Sequence, residues 1–149
     1  MFLNFYVEIM NNRALLACIT AWFIAQILKI ILTFYSSKKL DLARIIGSGG
    51  MPSSHTAFVM ALSTAIGRLH GWDSSIFAVA LCFSLVVMYD AAGVRRAAGN
   101  QAIVLNKIIE DLAHNKPITD QKLKELIGHT PKEVMAGAIL GILIANIMV

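Results

Sequence analysis

Charge and cysteine are scarce in this chain. Only 15% of its 149 residues are charged while 57% are hydrophobic, and mean hydropathy is +0.68. A soluble domain of this length could not hide so much apolar surface, so a bilayer is the natural solvent. The two cysteines, Cys18 and Cys82, are far apart and each lies within an apolar run. That excludes a disulfide framework and leaves them as small packing residues. A basic leader is also missing. Met1–Asn12 carries Glu8, and the first long apolar run continues past Lys29 without a small-residue cleavage site, so no cleavable signal peptide is expected. With no internal repeat, low-complexity tract or linker, residues 1–149 read as one membrane domain.

What is present is four stretches of spanning character, Ala14–Tyr35, Pro52–Leu69, Ser75–Val94 and Val134–Val149. The second is short and rich in Ala, Ser and Thr. The fourth is also short and can begin as early as Pro131. Between the third and fourth, residues 95–130 form a polar helical segment. Val104, Leu105, Ile108, Ile109 and Leu112 repeat at helical spacing, which predicts an amphipathic helix over Gln101–Ala113. Thr119–Ile127 reads as a short helix capped by Thr119 and stopped by Gly128. Met1–Asn12, with Phe2, Phe5 and Tyr6, suits the membrane interface. The expected fold is all-α, an integral membrane bundle of about four transmembrane helices plus a cytoplasmic amphipathic helix.

The net charge of +4 raises nucleic acid as a partner. The basic residues sit between apolar runs rather than along one polar stripe, so no nucleic-acid partner is expected. Counted by side, Ser36–Met51 and Arg95–Lys132 hold ten lysines and arginines, and the opposite side holds only Arg13 and Arg68. The positive-inside rule then makes the basic side cytoplasmic and puts both termini outside.

Three polar motifs fall at that basic face: Ser48–His55 opening the second span, Tyr89–Arg96 closing the third, and Gly128–Glu133 opening the fourth. Gly49 and Gly50, followed by Pro52, Ser53 and Ser54, leave free backbone N–H groups (from all but Pro52) and serine hydroxyls at a helix N-terminus, which suits an anion. Ordinary capping accounts for the same residues. His55, one turn in, can give or take a proton. Arg95 and Arg96 can clamp phosphate oxygens, or simply mark the membrane edge. Asp90 is costly in lipid and should pair with Arg95, Arg44 or Lys29. Lys29 shares a helical face with Gln26, so it either snorkels or belongs to an inward polar stripe. His129 and Glu133, four apart, have the logic of an imidazole oriented by a carboxylate. Thr130-Pro-Lys-Glu133 is equally a capping box. Gly137 and Gly141 form a GxxxG for packing inside the bundle or between protomers. His70 and His114 lie in connecting segments and read as solvent-exposed. No Cys/His pair has ligand spacing, so neither a metal nor another cofactor is expected.

Taken together, Gly49–His55 (GGMPSSH), Val87–Ala102 (VMYDAAGVRRAAGNQA) and Leu123–Val134 (LKELIGHTPKEV) resemble a known family. It is the divergent membrane branch of the acid phosphatase and vanadium-dependent haloperoxidase superfamily, related to type-2 phosphatidic acid phosphatases. The match runs from about Ala25 to Gly141. The resemblance implies His129 as nucleophile, His55 as the acid that protonates the leaving group, and Lys29, Arg44, Arg95 and Arg96 as an anion clamp. The chain departs from the wider pattern in three places. Ser54 stands where the second element has glycine, Arg96 lies far upstream of His129, and Lys38, Lys39 and Arg44 only approximate the first element. The function implied is a metal-independent phosphomonoesterase acting on a membrane lipid phosphate, with membrane lipids as its partners. Two rivals use the same residues differently: a non-catalytic lipid-phosphate binder or carrier, and a small scaffold packing through Gly137–Gly141. A homodimer is left open.

Overall fold

The computed structural model describes residues 2–38, 50–113 and 128–149, all helices and short connections. Six helices follow in order: α1 Phe2–Met10, α2 Arg13–Ser37, α3 Ser54–His70, α4 Ser75–Ala92, α5 Val94–Ala113 and α6 Pro131–Met148. Side-chain caps set several starts. Asn12 accepts from the Leu15 N–H at 3.1 Å and Ser74 from the Phe77 N–H at 3.2 Å, each satisfying a donor that the first turn leaves orphaned.

The core is built from alanine. Ala17, Ala21 and Ala25 line one face of α2, Ala57, Ala61 and Ala65 one face of α3, and Ala145 joins them from α6; all are fully buried. Four-residue spacing puts each set on a single helical stripe. In lipid there is no hydrophobic gain from pressing large side chains together, and small residues let backbones approach closely. Gly137 and Gly141 extend this logic to α6. A Cβ at Gly137 would strike the Ser53 carbonyl oxygen, and one at Gly141 the Ala57 carbonyl oxygen. The glycine pair therefore packs inside the bundle, against α3.

α3 is the hub, touching α2, α4 and α6, while the backbones of α2 and α4 stay apart. Among the described residues, three stretches are long and apolar enough to cross a bilayer, Arg13–Tyr35, Ser75–Glu110 and Pro131–Met148. α3 has 17 residues, about 25 Å at 1.5 Å per residue. Its Ser63 and Thr64 are buried among neighbours that shield them from lipid. α4 is held to α3 by Ser84, whose hydroxyl donates to the Val59 carbonyl at 2.8 Å. Large apolar side chains such as Ile19, Phe23, Val79 and Ile139 point outward, as a lipid-facing surface requires.

Two expectations are adjusted. α5 begins at Val94, directly after α4, and not at Gln101. Cys18 is buried, but Cys82 is exposed on the outer face of α4 and packs nothing inside. The last helix starts at Pro131, the earlier of the two starts considered for the fourth span. His70 is exposed as expected. His114, Lys39, Arg44 and the helix expected over Thr119–Ile127 lie outside the described residues.

Candidate functional site

The C-terminal ends of α2 and α4 and the N-terminal ends of α3 and α6 meet at one end of the bundle. There His55, Val87, Asp90, Ala91, Arg95 and His129 line a common pocket of about 20 Å³.

His129 is its most constrained member. Thr130 caps α6, and its backbone N–H donates to Glu133 Oε2 at 2.9 Å, completing a capping box. The same Oε2 lies 3.2 Å from Nδ1 of His129. The two readings of Glu133 are thus both realised by one oxygen. An ionised carboxylate only accepts, so Nδ1 carries the proton and Nε2 keeps its lone pair. The ring is 3% exposed. Its backbone N–H donates to the Ala91 carbonyl at 2.9 Å, tying it to the end of α4. Just before it, Gly128 has φ +112° and lies against the Arg95–Arg96 backbone, where a side chain would collide with the Arg96 nitrogen. Only glycine meets both demands without strain. Burial pushes the imidazole below the usual histidine range; Glu133 opposes this, and charge on Lys29 and His55 reinforces it.

α3 sets His55. Ser53 is its N-cap, fully buried, with its hydroxyl accepting from the Thr56 N–H at 3.4 Å and the Thr56 hydroxyl at 3.0 Å. The Ser53 backbone N–H donates to the Glu133 carbonyl at 3.0 Å, so the starts of α3 and α6 are joined directly. Ser54 is buried in the bundle. His55 follows with its side chain exposed, toward the space between α2 and α4.

The charged groups come from α2, α4 and α5. Arg95 Nε donates to Asp90 Oδ2 at 2.6 Å across the α4–α5 junction, which makes Arg95 a partner of Asp90 as one of the expected pairings had it. Both side chains stay partly exposed, at 47% and 37%. Lys29 is 2% exposed, so it does not snorkel but turns inward. Gly50, with φ +86°, lies across its methylene stem: a Cβ there would sit 3.4 Å from Lys29 Cγ.

Of the residues singled out from the sequence, the fold brings together His55, Asp90, Arg95, His129 and Glu133, with Lys29 close enough to act on the charge of His129. Ser53 and Ser54 adjoin them, the first engaged as a cap. Arg96 is exposed and does not line the pocket. Sequence reasoning missed Val87 and Ala91 as lining residues and Gly128 as the close-contact point. Gly128 had a signal, a glycine directly before a motif histidine, but it looked like a helix stop.

Comparison with known proteins shows the family. The divergent PAP2 family matches residues 10–144. The chain is also 42% identical over 155 aligned positions to the "uncharacterized membrane protein YuiD" of Bacillus subtilis (strain 168), covering 95% of this chain and 97% of that one. No solved structure matches the chain. With polar motifs from four helices gathered at one end of a lipid-facing bundle, and with matches spanning nearly its whole length, the chain is an integral membrane protein that belongs to the divergent PAP2 family.

Proposed function

We propose that the chain is a metal-independent phosphomonoesterase acting on a membrane lipid phosphate through His129. The observation that carries this is the buried His129 with Nδ1 bound to Glu133, in one pocket with His55 and Arg95. Membership of a phosphatase-related family supports it.

In this reading the neutral Nε2 of His129 attacks phosphorus. The P–O bond to the lipid breaks as His55 gives its proton to the leaving oxygen, releasing the lipid alcohol and leaving a phosphohistidine. Water then attacks phosphorus, His55 takes a proton from it, and phosphate departs with His129 restored. Lys29 and Arg95 offset the charge of the phosphoryl oxygens. Glu133 orients the nucleophile, and Asp90 holds Arg95 in place. Because the basic segments flank the site, the charge bias makes its face cytoplasmic, so the substrate lies in that leaflet.

The test is phosphate release from a panel of lipid phosphates by detergent-purified protein, wild type beside His129→Ala and His55→Ala. Loss in both variants supports the reading. If wild-type protein releases no phosphate and His129→Ala leaves cellular lipid phosphates unchanged, the reading fails. One observation favours the rival binder or carrier: Glu133 also completes a capping box, so its bond to His129 persists without any catalytic demand. That rival predicts binding of lipid phosphate that needs Arg95 and is indifferent to His129.

A further inference from the structure

Because α3 packs against both α2 and α4 while the backbones of those two stay apart, the bundle carries an open groove with α3 as its floor. Trp22 forms one wall, Phe83 and Val87 the other, and Phe58, Val59 and His55 the floor, enclosing about 380 Å³. That lies within the size range of small-molecule sites, about 300–1,000 Å³. Among the described residues, His55 is its one titratable lining residue. The groove and the polar pocket are continuous, since His55 and Val87 line both. Along α2, Trp22 lies seven residues from Lys29, about 10 Å deeper into the membrane. An apolar channel thus runs from the polar end of the bundle toward the bilayer centre and is open to lipid along its side.

We infer that this groove seats one hydrocarbon chain of the lipid phosphate, so that Trp22, Phe58 and Phe83 select the lipid whose headgroup reaches His55. The inference rests on the reading of the pocket as a lipid-phosphate site. It adds the tail-binding half of that site and the side chains that read the tail. A chain lodged there enters sideways from the leaflet with its phosphate already at the pocket, leaving less orientational freedom to be lost on binding. A second copy of this protein could instead lay a helix in the groove. The continuity with the charged pocket favours a ligand that is apolar along its length and anionic at one end.

The experiment uses full-length protein in phosphatidylcholine nanodiscs containing a phosphatidic acid with a photoreactive diazirine midway along one acyl chain. It is run on wild type and on His129→Ala, so that it reads binding whether or not phosphate is released. Labelling is expected on the peptides around Trp22, Phe58 and Phe83, and to be competed by unlabelled phosphatidic acid but not by added phosphatidylcholine. In wild-type protein that releases phosphate, Trp22→Ala and Phe83→Ala should each raise KM for the long-chain substrate about tenfold, from the apolar contact removed. Turnover of a short-chain phosphate ester should be unchanged. Groove labelling together with no phosphate release across the lipid-phosphate panel and unchanged cellular lipid phosphates in His129→Ala would sink the phosphatase reading and keep the tail site. Label spread over outward residues such as Ile19 and Ile139, or competed equally by phosphatidylcholine, overturns the tail site, as does a cross-link between two protein copies through the groove.

Discussion

His129 concentrates the chemistry that a single side chain can carry here. Its ring is buried, which favours the neutral imidazole, and its Nδ1 lies against Glu133, which leaves Nε2 toward the pocket. Replacing His129 by alanine should cut phosphate release by about 10³-fold or more, the scale on which nucleophile removal acts. Glu133→Gln keeps the shape but weakens the orienting bond, and about a 10–100-fold loss is expected, as for other outer partners of a functional histidine. The pH profile supplies the sign. Burial lowers the His129 pKa and Glu133 raises it, so the acid limb of kcat/KM should lie below the ordinary histidine value of 6.5. In Glu133→Gln it should move further down. A limb at or above 6.5, or one moving up in the variant, would contradict the assignment. Arg95 is a separate test. Arg95→Ala removes a charged hydrogen-bond donor worth about 1.5–3 kcal/mol and should raise KM for lipid phosphate roughly 10–100-fold. An unchanged KM would remove it from the clamp.

Among the elements, α6 and α3 carry the most direct backbone approach. A leucine at Gly141 must pass through the Ala57 carbonyl and the Ala61 nitrogen, neither of which can move without shifting α3. Overpacking of this kind typically costs about 1–3 kcal/mol, and more where backbone is the obstacle. Gly141→Leu should therefore lower the unfolding midpoint in detergent even in monomeric protein. A variant that changed only self-association would place the glycine face between protomers instead. The helices themselves were legible from apolar runs, because long stretches such as Ser75–Val94 admit little else. The start of α5 was not. Arg95–Gln101 has no apolar periodicity, yet Ala97, Ala98 and the arginines are good helix formers, and the helix simply resumes after Gly93. Asp90 and Arg95 then bridge that junction, a pairing for which sequence spacing offered two other partners.

At the scale of the whole molecule, the uneven distribution of lysine and arginine predicts orientation. A reporter fused after Val149 should be active only when it folds outside the cytoplasm, and cytoplasmic activity would reverse the sidedness. Composition and hydropathy were enough to determine that the chain lives in a membrane and folds as helices, since both follow from the cost of leaving backbone groups unpaired in lipid. The motif strings likewise determined that three distant segments share one end of the bundle, because a helix crossing the bilayer fixes the depth of both its ends. Depth, however, is only one coordinate. Which side chains face one another around the bundle depends on helix rotation and on how closely backbones approach. Only the packed structure turned Lys29 inward, gave one Glu133 oxygen both the cap and His129, sent Cys82 outward, and kept α2 and α4 apart to leave a groove beside His55.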